Sequence, residues 1–299
     1  MAASSPSGRF LFYNRHYITP YKTNMKMRSL VILALLLGGL VACRKGIGNN
    51  SGRPTVYDST PSPFLIPTVV TKDAYHKDSA WLQLPVHYNS GFDTEKYPLV
   101  IFFNGRFEGS DYGSLHKLHV WGVPKYMADS VRFAFNVAGK SQGMIAIAPQ
   151  STNGYPSPFD INQTINYMLS KYRVDPSRIY LTGVSSGAAA IFSYLTYSKE
   201  YANRIAAAVP MSSIELETAK IANMKNIADA HTPVRVFCGT SDDLYLKNQN
   251  YAAEINKYSP GLAVFTPYTG AHNGWNGPYD PTHAHLNPNI YEWMLQYHK

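Results

Sequence analysis

Five residues, Gly183-Val-Ser-Ser-Gly187, constrain this chain more than any others. They stand between an apolar run, Arg178-Ile-Tyr-Leu-Thr182, and a small-residue run, Ala188-Ala-Ala-Ile191. Together these read as strand, sharp turn and helix, with a serine at the apex. Glycines on either side permit a turn too tight for side chains, and such a turn pushes Ser185 outward on a strained backbone. A serine so placed is a candidate nucleophile. The five-residue pattern alone is weakly specific; its flanking strand and helix, and the residues that follow it, give it weight.

A serine hydroxyl is a poor nucleophile until an imidazole takes its proton, and the imidazole needs a carboxylate to fix its tautomer. Both groups occur in the C-terminal third. Thr232-Pro-Val-Arg-Val-Phe-Cys-Gly239 reads as a buried strand ending in glycine, followed by Thr240-Ser-Asp-Asp243. Gly270-Ala-His-Asn-Gly-Trp275 places a histidine in a glycine-rich loop after another strand, Leu262 to Pro267. The order serine, acid, histidine is one of the known orders of such a triad. We assign Ser185 as nucleophile, His272 as general base and then acid, and Asp242 as the orienting carboxylate, with Asp243 as its competitor.

From about Leu84 onward the chain resembles the α/β-hydrolase superfamily. Within it, the chain is similar to secreted esterases often labelled predicted peptidases, related to polyhydroxybutyrate depolymerases and feruloyl esterases. The resemblance is carried by Tyr97-Pro-Leu-Val-Ile-Phe-Phe-Asn-Gly105, Gly109-Ser-Asp111, Gly122-Val-Pro-Lys125, Ile145-Ala-Ile-Ala-Pro-Gln150 and Asp160-Ile-Asn162. Its most specific stretch is Val174-Asp-Pro-Ser-Arg-Ile-Tyr-Leu-Thr-Gly183, and Tyr291-Glu-Trp-Met-Leu295 matches the family's ending. The resemblance implies an α/β-hydrolase fold; the alternation of strands and helices with continuously apolar strands argues for a mostly parallel central sheet with helices on both faces, and no insertion is long enough for a large lid domain. The resemblance also places the acid on Asp242, the third residue after the strand-end glycine.

An oxyanion hole needs two backbone N–H groups aimed at the developing charge. One is expected from Ser186, the other from Arg106 or Phe107. Here the chain departs from the family, with Asn104 where a histidine is usual and Arg106 and Phe107 where small residues are usual.

The net charge is +8, which taken alone suggests a polyanionic partner. Residues 1–53 hold eight Lys or Arg and no acid, while residues 54–299 hold 19 of each sign. The body is neutral, so no nucleic-acid partner is expected. Met25-Lys-Met-Arg28 followed by the apolar Ser29 to Ala42 reads as a signal peptide, since fourteen residues are too few to span a bilayer core of about 30 Å. Leu40-Val-Ala-Cys43 is similar to the lipobox of bacterial lipoproteins, which implies acylation of Cys43 and a lipid-anchored protein of the cell envelope. Residues 1–24 are read as an extension from start-codon choice, 25–42 as the signal peptide, 43–67 as a flexible tether and 68–299 as the catalytic domain. The membrane is then expected to be touched only through the lipid.

With Cys43 acylated, Cys238 is left without a partner and reads as inert packing in a core strand. His116 and His119 near Asp111, and His283 and His285 near Asp280, lack a full ligand set, so neither a metal nor any other cofactor is expected. Strands are expected near 81–87, 99–103, 144–148, 178–182, 205–210, 233–237 and 262–267. Helices are expected near 123–130, 160–172, 186–198, 245–257 and 287–298. Trp121, Tyr155 and Trp275 are candidates for stacking on sugar or phenolic rings, and Trp275 alternatively supports the histidine loop.

Three functions fit these residues. The leading one is hydrolysis of a carboxylic ester through an acyl-serine, on a small molecule or an ester decoration of a polysaccharide. A peptidase or amidase could use the same triad. A catalytically weak, lipid-anchored glycan-binding protein is motivated by Asn104, Arg106 and Phe107.

Overall fold

Four strands carry the centre of the molecule because their sequences are apolar on both faces. The computed structural model describes residues 65–71, 77–86, 88–89, 94–106, 115–150 and 155–299. Every residue of β3 (Tyr97–Phe103), β6 (Ile145–Pro149) and β8 (Ala207–Met211) is buried. So is the second half of β7 (Val174–Val184). Strands of this kind belong in a parallel sheet covered on both sides. With β1 (Leu65–Thr71), β2 (Lys77–Gln83), β9 (Val234–Gly239) and β10 (Ala263–Tyr268) they form an eight-stranded sheet of order β1-β2-β6-β3-β7-β8-β9-β10. Only the β1–β2 and β2–β6 pairings are antiparallel. The remaining pairs run parallel.

Alternate side chains feed two cores. Leu99, Ile101, Phe103 and Leu181 face one, against Ile161, Ile165 and Met168 of α2 (Pro158–Lys171), α3 (Ser186–Tyr197) and α7 (Tyr245–Tyr258). Val100, Phe102, Tyr180 and Val209 face the other, against α1 (Gly122–Ala128) and α9 (Ile290–Met294). Short helices α4 (Lys199–Ala202), α5 (Thr218–Ala222), α6 (Lys225–Asp229) and α8 (Asn276–Tyr279) fill the connections, with a 3₁₀ turn at Leu115–Val120.

The expected elements are present, and the differences from expectation have physical causes. Strand β2 begins at Lys77 rather than near 81, because its first residues alternate exposed and buried and so hide their strand character behind polar side chains. Strand β1 starts at Leu65, inside the segment read as a tether ending at 67, and its backbone pairs with β2 from Leu65 to Thr71. A hairpin, β4 (Ala134–Val137) and β5 (Lys140–Gly143), was not expected. Its turn residues, Ala138 and Gly139, have φ of 50° and 78°. Such a turn usually advertises itself with Asn-Gly or Asp-Gly, and alanine conceals it.

Helix α2 starts at Pro158 rather than at 160. Ser157 is the cap: its Oγ accepts from the Asp160 N–H, while Asp160 accepts from the Ser157 N–H. Proline at the first helical position costs no hydrogen bond. Near the other end of the chain only Ile290–Met294 of the expected 287–298 is helical, opened by an equivalent box between Asn289 and Glu292. Residues 1–64 lie outside the described residues, and with them the signal peptide, Cys43 and most of the tether. Among the described residues no helix is long and apolar enough to cross a membrane.

The 3₁₀ turn carries a pH-sensitive packing. His116 and His119 lie against Trp81, with ring centroids 5.2 and 4.7 Å away, and against each other at 5.4 Å. The buried Nε2 of His119 has no hydrogen-bond partner. Burial, and then the neighbouring His116, holds His119 below the ordinary imidazole value of 6.5, while Asp129 pulls the other way. A base whose pKa is lowered by folding leaves stability unchanged above 6.5. Below it, the unfolded chain takes the proton first and stability falls. The melting temperature is therefore expected to drop as pH falls from 7 to 5, and His119→Phe to flatten that drop in thermal unfolding curves.

Candidate active site

The C-terminal ends of β7, β9 and β10 bring three polar side chains to one rim of the sheet, where such sheets place their sites. Ser185 is the single residue between β7 and α3, with φ 54° and ψ −118°. A non-glycine residue there costs about 1–3 kcal/mol and persists only where its surroundings enforce it. The enforcement is visible. The Ser185 N–H donates to the Met211 carbonyl at 2.9 Å, and the Ser185 carbonyl accepts from Ala189 in the first turn of α3.

The flanking glycines are explained by close approach. A Cβ on Gly183 would lie 2.6 Å from the Phe103 carbonyl oxygen, and one on Gly187 would lie 2.2 Å from it and 2.7 Å from that of Asn104. The elbow is thus pressed against the end of β3. Gly187→Ala is expected to cost about 3 kcal/mol or more, at the upper end of overpacking, because the obstructing atoms are backbone. Chemical denaturation of the purified variant checks this.

His272 joins the two ends of the site. Its Nε2 lies 2.9 Å from Ser185 Oγ, and its Nδ1 lies 2.9 Å from Asp242 Oδ2. An ionised carboxylate only accepts, so Nδ1 carries the proton and Nε2 turns its lone pair to the serine hydroxyl. The Asp242 side chain is 2% exposed and that of His272 40%. Burial alone would raise the Asp242 carboxyl. Bonds from the Leu244 N–H and from His272 outweigh it and hold the group below the ordinary carboxylate value. Asp242 therefore stays ionised where an imidazolium would need it. The competing Asp243 is exposed.

Other predicted residues fall in different places. Ser186 is buried at the first position of α3, where helix geometry leaves an N–H without an intrahelical partner. Asn104 is buried and donates from Nδ2 to the Gly105 carbonyl. Arg106 is exposed just after it. Phe107 lies outside the described residues, as do Gly109 to Asp111.

Trp275 is 5% exposed and sets its ring edge-on to His272, with centroids 5.3 Å apart, and to Trp121 at 5.4 Å. Its burial removes it from the candidate stacking surfaces and makes it a support of the histidine loop. The next residue, Asn276, fastens that loop to α1 by accepting from the Gly122 N–H and donating to the Val120 carbonyl. Tyr155 is exposed beside Tyr197, on a cavity of about 380 Å³ between α2, α3 and α5. Among the described residues no group of three His, Cys, Asp or Glu could hold a metal. His283 instead pairs with Glu292 and His285 with Asp280.

No family model matches the chain, and no curated protein does. Solved structures do. A thermostable esterase superposes with a TM-score of 0.56 at 19% identity, over 80% of this chain and 64% of its own. A feruloyl esterase module from Clostridium thermocellum, complexed with sinapinate, gives 0.54 at 16% identity, over 82% and 93%. A ferulic acid esterase gives 0.51 at 15%, over 78% and 98%.

The chain has the α/β-hydrolase fold. On an α/β-hydrolase sheet the nucleophile is carried between a strand and the helix that follows it, as Ser185 is between β7 and α3. The acid follows β9 and the histidine follows β10. Two residues near them, Ser212 and Tyr268, had no signal in the sequence, and Cys238, expected as inert packing, touches Asp242 at 3.4 Å. Ser212 follows β8, Tyr268 ends β10 and Cys238 lies within β9, and all three sit behind Asp242.

Proposed function

We propose that the protein is a serine hydrolase that cleaves carboxylic esters through an acyl-serine intermediate. The observation that carries this reading is the continuous hydrogen-bonded line Ser185 Oγ, His272, Asp242, with both contacts at 2.9 Å. Ser185 Oγ attacks the ester carbonyl as Nε2 of His272 takes its proton. Asp242 faces the resulting imidazolium. The Ser186 N–H is one donor to the oxyanion, and the segment after Asn104 supplies the other. His272 then returns the proton to the departing alkoxide, and water repeats the sequence to release the acid.

The superposed proteins are esterases, and this supports an ester over an amide. We read the substrate as an ester decoration on a polysaccharide, reached by a catalytic domain that a lipid on Cys43 tethers to the bacterial cell envelope. Neither a cofactor nor a nucleic acid has a part in this reaction.

The test is hydrolysis of acetyl and feruloyl aryl esters beside matched anilides at equal concentration. Faster turnover of the esters is expected; anilides cleaved as fast would move the reading to a peptidase. Saturable oligosaccharide binding without turnover would instead favour the glycan-binding alternative. Incorporation of an alkynyl fatty acid into the full chain, lost in Cys43→Ser, checks the anchor.

A further inference from the structure

A line of hydrogen-bonding side chains lies behind the acid, made of groups that the mechanism leaves idle. Cys238 Sγ is 3.4 Å from Asp242 Oδ2, the oxygen that also receives His272. Ser212 Oγ is 3.7 Å from that sulfur and 3.0 Å from the Tyr268 hydroxyl. The Tyr268 hydroxyl is 3.4 Å from the carbonyl of Ala271, the neighbour of His272. Cys238 and Ser212 are fully buried. Ser212 is held at φ 47°, a left-handed backbone unusual for serine.

The directions of these bonds are forced from one end. A carboxylate only accepts, so the thiol donates to Asp242. The sulfur then accepts from Ser212, and the Ser212 oxygen accepts from Tyr268, whose single proton goes to this 3.0 Å contact rather than to the 3.4 Å one with Ala271. Burial pushes the Cys238 thiol up to about 12, which keeps it a donor throughout the working range. Burial likewise raises Tyr268, so its proton stays in place.

We propose that Cys238, Ser212 and Tyr268 are positioning residues, a one-way chain of donors that ends on Asp242 Oδ2 and fixes the acid against His272. The thiol shares Oδ2 with the imidazole, so it sets how strongly that oxygen accepts the Nδ1 proton. Gly239 lets the two halves meet: a Cβ there would lie 2.4 Å from the Gly270 carbonyl oxygen and 2.7 Å from that of Ala271. This inference rests on the serine-hydrolase reading for its effect on rate, though not for its effect on the acid–histidine bond.

The experiment compares Cys238→Ala with Cys238→Ser in the whole protein. In the alanine variant kcat on an aryl acetate is expected to fall about fivefold, the size of one ordinary hydrogen bond, with KM unchanged. The downfield proton resonance of His272 Nδ1 is expected to move further downfield, because Oδ2 has lost its second donor. Serine, which keeps a donor, should return both towards the native values. Should Cys238→Ala not fold, Tyr268→Phe removes the far end of the chain and is expected to shift the resonance in the same direction. An unchanged resonance and kcat, with only the melting temperature altered, would make Cys238 simple packing and overturn the proposal. A shifted resonance in a protein that turns over no ester would leave the proposal standing and sink the ester reading alone.

Discussion

Replacing Ser185 by alanine is expected to lower ester hydrolysis by about a millionfold in kcat, the scale on which loss of a triad nucleophile acts. The hydroxyl stands at the apex of the elbow, and its Oγ lies 2.9 Å from His272 Nε2, the base that takes its proton in the proposed reaction. The variant should fold as well as the native chain or better. The strain at φ 54° belongs to the backbone, which is held by the Met211 carbonyl and by Gly183 and Gly187 rather than by the hydroxyl. A melting curve beside the rate measurement therefore separates lost chemistry from lost structure. Hydrolysis that survived the substitution unchanged would place the reaction elsewhere on the protein.

Asp242→Asn is expected to lower kcat by about ten-thousandfold. The amide fills nearly the same space, but it can present N–H where the carboxylate presented Oδ2. His272 then turns its other tautomer, or its charged form, towards Ser185, and the lone pair that should receive the proton is lost. The Leu244 N–H, which now donates to Oδ1 at 2.9 Å, keeps the loop in place, so the defect is one of protonation rather than folding. Asp243→Asn is the matched control. Its exposed side chain should leave kcat within a factor of about two, as a surface substitution does. Equal losses in the two variants would mean that the strand-end loop as a whole, and not one carboxylate, supports the histidine.

The difference between those neighbours shows what a sequence can and cannot carry. The elbow was legible because two glycines at fixed spacing record a clash between backbones, and the structure locates that clash at Phe103 and Asn104. The parallel sheet was legible because β3, β6 and β8 are apolar on both faces. Asp242 could be preferred over Asp243 only by analogy, since nothing local distinguishes two adjacent carboxylates until one is buried against Leu244 and His272.

Ser212 and Tyr268 left no trace, and Cys238 was legible only as a buried thiol in a core strand, not as a neighbour of Asp242. The three are 26 and 30 residues apart in sequence, and they meet because β8, β9 and β10 are adjacent, a fact of topology rather than of pattern. Trp275 was legible as an aromatic near the histidine, but its burial, which decides between support and stacking, depends on α1 closing over it. Strand β1 was concealed by a proline and two threonines, and the β4–β5 hairpin by an alanine in its turn.

The most direct test of the central claim is labelling of the purified protein with a fluorophosphonate, followed by mapping of the modified peptide. Such a reagent needs a hydroxyl that a neighbouring base deprotonates and donors that hold a developing oxyanion. The account predicts a single label on Ser185, abolished in Ser185→Ala and strongly slowed in Asp242→Asn. A folded protein that takes no label, or takes it on another serine, would contradict it.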